Sequence, residues 1–231
     1  MQHLNKLLIE ELQSVGRKQP EIQTITQISK SSSTITAYPT EAKWLSCLEY
    51  DSLREIAIEK LDKLPQPLVD AGMNWSKTIP HKSLYLYGIY GCGKTTFAYA
   101  IIREVIRRLP QKCYFWPYVI SGPDFQNNLR VASEHRDGDR CLIEKYCDAD
   151  LLFIDDLDKG EVNQKFKRQL FEIINTRDLS GKPTIITTNW SHVDLAANHD
   201  GSIVSRIGDT KRWRTFKFPD VDLRQPIVEV F

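Results

Sequence analysis

The stretch Gly88-Ile89-Tyr90-Gly91-Cys92-Gly93-Lys94-Thr95 follows a short apolar run, Leu84–Tyr87, and leads into residues 95–109, where Phe97, Ala98, Ile101, Ile102 and Val105 recur at helical spacing. It fits G-x-x-x-x-G-K-[ST] at every position and has the strand before it and the helix after it that the motif requires. Glycines at 88, 91 and 93 let backbone N–H groups curl around phosphates, and the helix N-terminus adds the positive end of its dipole. On this reading Lys94 reaches the β- and γ-phosphates of ATP, Thr95 ligates Mg²⁺, and Thr96 offers a second hydroxyl to the α-phosphate. The competing reading is a glycine-rich turn that carries Lys-Thr by accident, and the strand–loop–helix context speaks against it.

Strand and helix signals alternate downstream. The pattern predicts a strand over 114–120, a helix over 122–134, a fully apolar strand over 151–154, a helix over 166–176 and a strand over 184–188. Such alternation implies βαβ units, hence an α/β fold with a parallel sheet flanked by helices on both faces. Leu151–Ile154 runs directly into Asp155-Asp156. Carboxylates there stand at the C-terminal edge of the sheet, where ligands of open α/β folds bind. Asp155 is the candidate Mg²⁺ holder and Asp156 the general base for an attacking water. Thr184–Thr188 ends in Asn189, which reads as a turn residue on its own. Beside the acidic strand it becomes a group that orients water at the γ-phosphate.

Upstream the texture differs. Leu4, Leu7, Leu8, Leu12 and Val15 form one amphipathic helix (1–18), too short to be stable alone, so its leucine stripe packs on the body or docks on a partner. Residues 19–40 are Ser/Thr-rich and read as a linker. A helical pre-core segment spans 41–82, with Trp44, Leu45 and Leu48, then Leu53, Ile56, Ile58 and Leu61 behind a Ser52/Glu55 capping box, and Pro65 and Pro67 to end the helix. The remaining unit is 83–231. The 231 residues are 41% hydrophobic and carry a net charge of +1, which excludes a disordered tail and a strongly basic nucleic-acid coat protein. Five cysteines without a CxxC argue against a structural zinc site and for a reducing compartment. Charges near the N-terminus rule out a signal peptide, and no uncharged run approaches the roughly 20 residues of a membrane span. A cytoplasmic protein without membrane contact is expected.

The order of Gly88–Thr95, Leu151–Asp156, Leu170–Ser191 and Ser205-Arg206-Ile207 resembles the AAA+ helicase loaders of the DnaC/DnaI group and their relatives, the IstB-type transposition ATPases. The resemblance covers residues 83–218 and implies an AAA+ P-loop ATPase core. Gly88, Gly93, Lys94 and Thr95 then match Walker A, Asp155 and Asp156 match Walker B, and Asn189 matches sensor I. Arg206 matches the arginine finger that reaches ATP on a neighbouring subunit. Such fingers contribute on the order of 10³–10⁵ in turnover in GTPases, so an isolated subunit is expected to hydrolyse slowly. The implied partners are a hexameric DnaB-like replicative helicase, single-stranded DNA and further copies of the chain. Two departures stand out. Asp158 replaces the glycine that usually follows the acid pair, and the 25 residues after Arg206 are too few for a C-terminal lid, which leaves a sensor II arginine unassigned.

Other phosphate-loop classes fit worse. No LSGGQ precedes the acidic strand and no Asn-Lys-x-Asp occurs, against a transporter ATPase and a GTPase, and a metabolite kinase leaves Leu170–Arg206 unexplained. A transposase helper, or an adaptor that binds ATP without turning it over, stays open. Two segments are candidates for DNA. Lys211, Arg212, Arg214 and Lys217 interleave with Trp213, Phe216 and Phe218, which suits base stacking on single strands, although an edge strand with its rings in the core and its charges in water is the preferred reading. Arg130, Arg136, Arg140 and Lys145 form the second candidate.

Overall fold

The computed structural model describes residues 61–78, 81–109, 115–134, 138–199 and 201–224. The expected N-terminal helix, the linker and the helical run from Trp44 to Ile58 lie outside the described residues. In chain order the elements are α1 (Gln66–Ser76), β1 (Ser83–Tyr87), α2 (Lys94–Arg108), β2 (Pro117–Ser121), α3 (Gly122–Ala132), α4 (Gly138–Asp148), β3 (Leu151–Asp155), α5 (Gln164–Leu179), β4 (Thr184–Thr188), α6 (His192–Asn198), α7 (Gly201–Ile207) and β5 (Trp213–Lys217). The five strands form one sheet in the order β2-β3-β4-β1-β5, and every pairing is parallel. The α/β class and the helix-flanked parallel sheet stand as expected.

Strand periodicity divides the core in two. Leu84, Leu86, Leu151, Phe153 and Ile185 face a cluster built with α1 and α2. Their neighbours Tyr85, Leu152, Ile154 and Ile186 face a second cluster with Phe125, Tyr146, Leu170, Ile173, Leu195 and Ile203 from α3 to α7. Both faces are buried, so the strands read as continuous apolar runs rather than alternating ones.

The prolines at 65 and 67 open a helix, α1, and the helix they were expected to end lies almost wholly outside the described residues. Pro65 is the N-cap of α1 and Pro67 lies in its first turn, where backbone N–H groups have no intrahelical partner and proline's fixed φ already suits the helix. This helix is part of the core: Leu61, Leu64, Val69 and Trp75 are buried in the α2 cluster, so the packed unit begins upstream of the boundary expected at residue 83. The sequence reading also missed α4, α6 and α7. α5 is longer than expected because Asn163 caps its start, accepting from the Phe166 N–H at 2.9 Å.

Arg177, in the last turn of α5, ties the far end of the sheet together. It is fully buried; Nε donates to Thr184 Oγ1 at 2.9 Å, Nη1 to the carbonyls of Tyr146 and Ala149 at 2.7 Å, and Nη2 to Pro183 O at 2.6 Å. The cation thus closes the C-terminal end of α4 and locks the starts of β3 and β4. Burial pulls its pKa down to about 10, the cost of placing a guanidinium among neutral acceptors. Arg177→Met is expected to strand these carbonyls and lower unfolding stability by roughly 3–5 kcal/mol, measured by urea denaturation. A loss below about 1 kcal/mol contradicts this role.

Candidate functional site

β1 lies between β4 and β5, so the loop after it emerges mid-sheet with β4 alongside in the register Tyr87↔Thr188. Gly93 is the N-cap of α2 with φ 92°, and Gly91 has φ 76°. A side chain at Gly91 would be strained by that φ and would also collide with the Asp222 carboxylate, because the chain after β5 returns across the loop and pairs Leu223 N–H with Gly91 O at 3.0 Å. Lys94 is 5% exposed. Its Nζ donates to Gly88 O and Ile89 O at 2.8 Å and to Asn189 Oδ1 at 2.9 Å. Burial pushes the neighbouring Cys92 thiol up, with the Lys94 charge opposing, so Cys92 stays a neutral packing group.

The acid pair is organised by a single hydroxyl. Thr187 Oγ1 donates to Asp155 Oδ1 at 2.5 Å and accepts the Asp156 N–H at 2.8 Å. Thr95 Oγ1 donates to the same Asp155 oxygen at 2.8 Å, which joins α2 to β3 at the place where a cation would sit. Burial raises the Asp155 carboxyl above its ordinary range, opposed by the Thr187 hydroxyl, reinforced by the Asp156 charge and opposed again by Thr95. Asp156 adopts φ 56°, unusual outside glycine, and turns the chain out of the strand. Gly122 at the start of α3 lies against the Asp156 carbonyl with no space for a Cβ. The Asp156 carboxylate pairs with Lys159, whose ammonium also lies 5.7 Å from the Tyr90 ring centroid.

Asn189 is held from two sides. Asp158 accepts its backbone N–H at 2.9 Å and its Nδ2–H at 2.5 Å, while Oδ1 accepts Lys94. The structure therefore brings Gly88, Gly91, Gly93, Lys94, Thr95, Asp155, Asp156 and Asn189 into one connected constellation. Beside it opens a cleft of about 380 Å³. Lys94, Thr95, Thr96, Asp156 and Lys159 line its polar part, and Leu61, Leu64, Tyr90 and Leu223 its apolar part, with Arg224 at the rim of the returning segment. Sequence reading missed Asp158, Lys159, Thr187 and the apolar wall. The departure at 158 was the one visible signal; the wall is assembled from residues more than a hundred positions apart.

The family model of the bacterial DnaA ATPase domain matches residues 71–208, from α1 through Arg206. The chain belongs to the bacterial DnaA ATPase domain family. A chromosomal replication initiator DnaA from Synechococcus sp. (strain JA-2-3B'a(2-13)) is 30% identical over 111 residues, 48% of this chain and 23% of that one. The chain thus spans about a quarter of that relative's length. Among solved structures, a replication initiator DnaA bound to AMPPCP and single-stranded DNA superposes with TM-score 0.59 at 18% identity, covering 70% of this chain and 49% of that chain. DnaI superposes with TM-score 0.59 at 17% identity, covering 76% and 94%. At these identities the likeness is one of fold.

Within this DnaA-type core Arg206 stands apart from the cleft. It occupies the last turn of α7, half-buried, near Asp178. Burial raises the Asp178 carboxyl, against a hydrogen bond from Trp213 and the charges of Arg212 and Arg206. On β5 Trp213 is buried, Phe216 is half-buried against the α2 cluster, and Arg214 and Lys217 are exposed, while Phe218 just beyond the strand is buried, a pattern that favours the edge-strand reading of that segment. Arg130 and Arg140 lie on α3 and α4 in ion pairs with Glu134 and Glu144. Arg136 is outside the described residues.

The donors present suit Mg²⁺, which takes one or two protein oxygens and completes its shell with water and phosphate. Thr95 and Asp155 already share a hydrogen bond there, and among the described residues no cluster of three or more His, Cys, Asp or Glu competes for a metal. Gly91→Ala is expected to weaken ATP binding at least tenfold, about 1.4 kcal/mol, in a titration with a fluorescent ATP analogue. Unchanged affinity would mean the loop does not hold the phosphates.

Proposed function

We propose that this protein is an ATP-dependent loader that places a hexameric replicative helicase on single-stranded DNA, acting as an ATP-assembled oligomer whose hydrolysis drives release. The observation that carries the nucleotide chemistry is the junction of Lys94, Asn189 and the acid pair beside one cleft. Lys94 exchanges neutral carbonyl acceptors for charged phosphate oxygens, which strengthens its hydrogen bonds. Thr95 and Asp155 hold Mg²⁺, which neutralises phosphate charge when bound. Asp156, once Lys159 leaves it, accepts a proton from the attacking water, and Asn189 orients that water. Arg206, which does not line its own cleft, is the proposed finger that serves a neighbouring copy in trans.

The family membership supports a role in replication initiation. The order of motifs from Gly88 to Arg206 and the match to DnaI over 94% of that chain favour a loader over an initiator. The segment before the core, residues 1–40, is the proposed grip on the helicase. The reading places the protein in the cytoplasm; no helix among the described residues is long and apolar enough to cross a membrane.

The test is a pull-down with mass measurement, using the replicative helicase of the same cell and ATP, on the full chain and on a version lacking residues 1–40. Stable binding by the full chain, lost on truncation, is expected. Binding by neither version, with ATP-dependent filaments on duplex DNA, would overturn the loader reading in favour of a transposase helper.

A further inference from the structure

Asp158 stands where the loader pattern leads one to expect glycine, and its side chain has a specific task. Three consecutive residues after β3 are fastened to the end of β4. Asp156 N–H reaches Thr187 Oγ1 at 2.8 Å, Leu157 N–H reaches Thr187 O at 2.9 Å, and the Asp158 carboxylate takes both N–H groups of Asn189 at 2.9 and 2.5 Å. The third fastening is the only one of these made by a side chain of the loop, and a glycine at 158 could not make it.

The consequence falls on the amide of Asn189. One end faces a carboxylate, which only accepts, and the other faces the Lys94 ammonium, which only donates. Reversing the amide would set oxygen against carboxylate and NH₂ against ammonium, so a single orientation survives. Oδ1 is then committed to Lys94, and Nδ2 keeps one hydrogen on Asp158 and a second to offer. That second N–H is the donor Asn189 can give to a terminal phosphate oxygen or to water. Without the carboxylate only Lys94 opposes that reversal, and Lys94 is the group that turns to phosphate when ATP binds; the amide can then rotate and set its oxygen against phosphate oxygens, a repulsive contact.

Resting on the reading that Asn189 serves ATP hydrolysis, we propose that Asp158 is a positioning residue that sets the orientation of the Asn189 amide and thereby the rate of turnover. It touches neither phosphate nor metal, so its contribution lies in kcat and not in nucleotide affinity.

The experiment is steady-state ATP turnover by the full chain, with Mg²⁺ and single-stranded DNA, for Asp158→Asn, Asp158→Gly, Asn189→Ala and the double variant Asp158→Asn/Asn189→Ala, with Lys94→Ala as the control. Asp158→Asn keeps the size of the side chain but turns an NH₂ against one of the Asn189 donors, so it decides the question even if Asp158→Gly melts early. Both Asp158 variants are expected to lose at least tenfold in kcat, with KM and ATP affinity within about twofold of the parent. The double variant is expected to be no slower than Asn189→Ala, because Asp158 acts only through that amide. Full kcat in Asp158→Asn, a loss confined to KM, or losses that multiply in the double variant would overturn the proposal. Parent turnover that survives Lys94→Ala, or no turnover at all, would instead defeat the underlying reading and this proposal with it.

Discussion

A lysine ammonium held almost entirely out of water, with two carbonyls of its own loop, the Cys92 sulfur and one side-chain amide for company, sets the terms for everything around it. Lys94 satisfies three N–H donors on Gly88 O, Ile89 O and Asn189 Oδ1. Burying an ion among neutral acceptors is costly, and phosphate oxygens are stronger acceptors for the same donors. The arrangement is therefore poised for an anion. It exists because the sheet order sets β4 directly beside β1, so that the residue after Thr188 meets the loop after Tyr87.

The acid pair is fixed by the next strand over. β3 pairs with β4, and Thr187 at the end of β4 holds Asp155 through its hydroxyl hydrogen and Asp156 through its oxygen. The acid pair and the glycine-rich loop thus share one neighbour, β4. At the opposite end of the sheet Arg177 pins the starts of β3 and β4 to α4, so neither strand can slide without breaking buried hydrogen bonds. The chain after β5 completes the cleft from the other side, where Leu223 grips Gly91.

Much of this was readable from residue order, and the reasons are local. Gly88–Thr95 carries its geometry in its own glycines, and strands buried on both faces announce themselves as apolar runs, so Leu151–Asp155 and Thr184–Thr188 were found within a residue of their ends. α6 and α7 escaped because each is only seven residues long, too short for a helical period to register. Pro65 and Pro67 open α1, a helix the pattern did not separate from the run before them, because proline occurs at both ends of helices and the packing of Val69 and Trp75 against α2 is not visible in residue order. Thr187 looked like one more β-branched strand residue; its role appears once β3 lies beside it. Asp158 was visible as a departure from pattern, yet its partner Asn189 is 31 positions away, joined to it by the β3–β4 pairing alone.

The most direct test of the central claim is a crystal structure with AMPPCP and Mg²⁺, in which the contacts of Lys94 Nζ are measured. Lys94 is predicted to leave the Gly88 and Ile89 carbonyls for the phosphate oxygens, while Asn189 stays on Asp158 and Thr95 and Asp155 converge on the metal. A structure with the nucleotide bound elsewhere and Lys94 still on Gly88 O, Ile89 O and Asn189 Oδ1 would contradict the account.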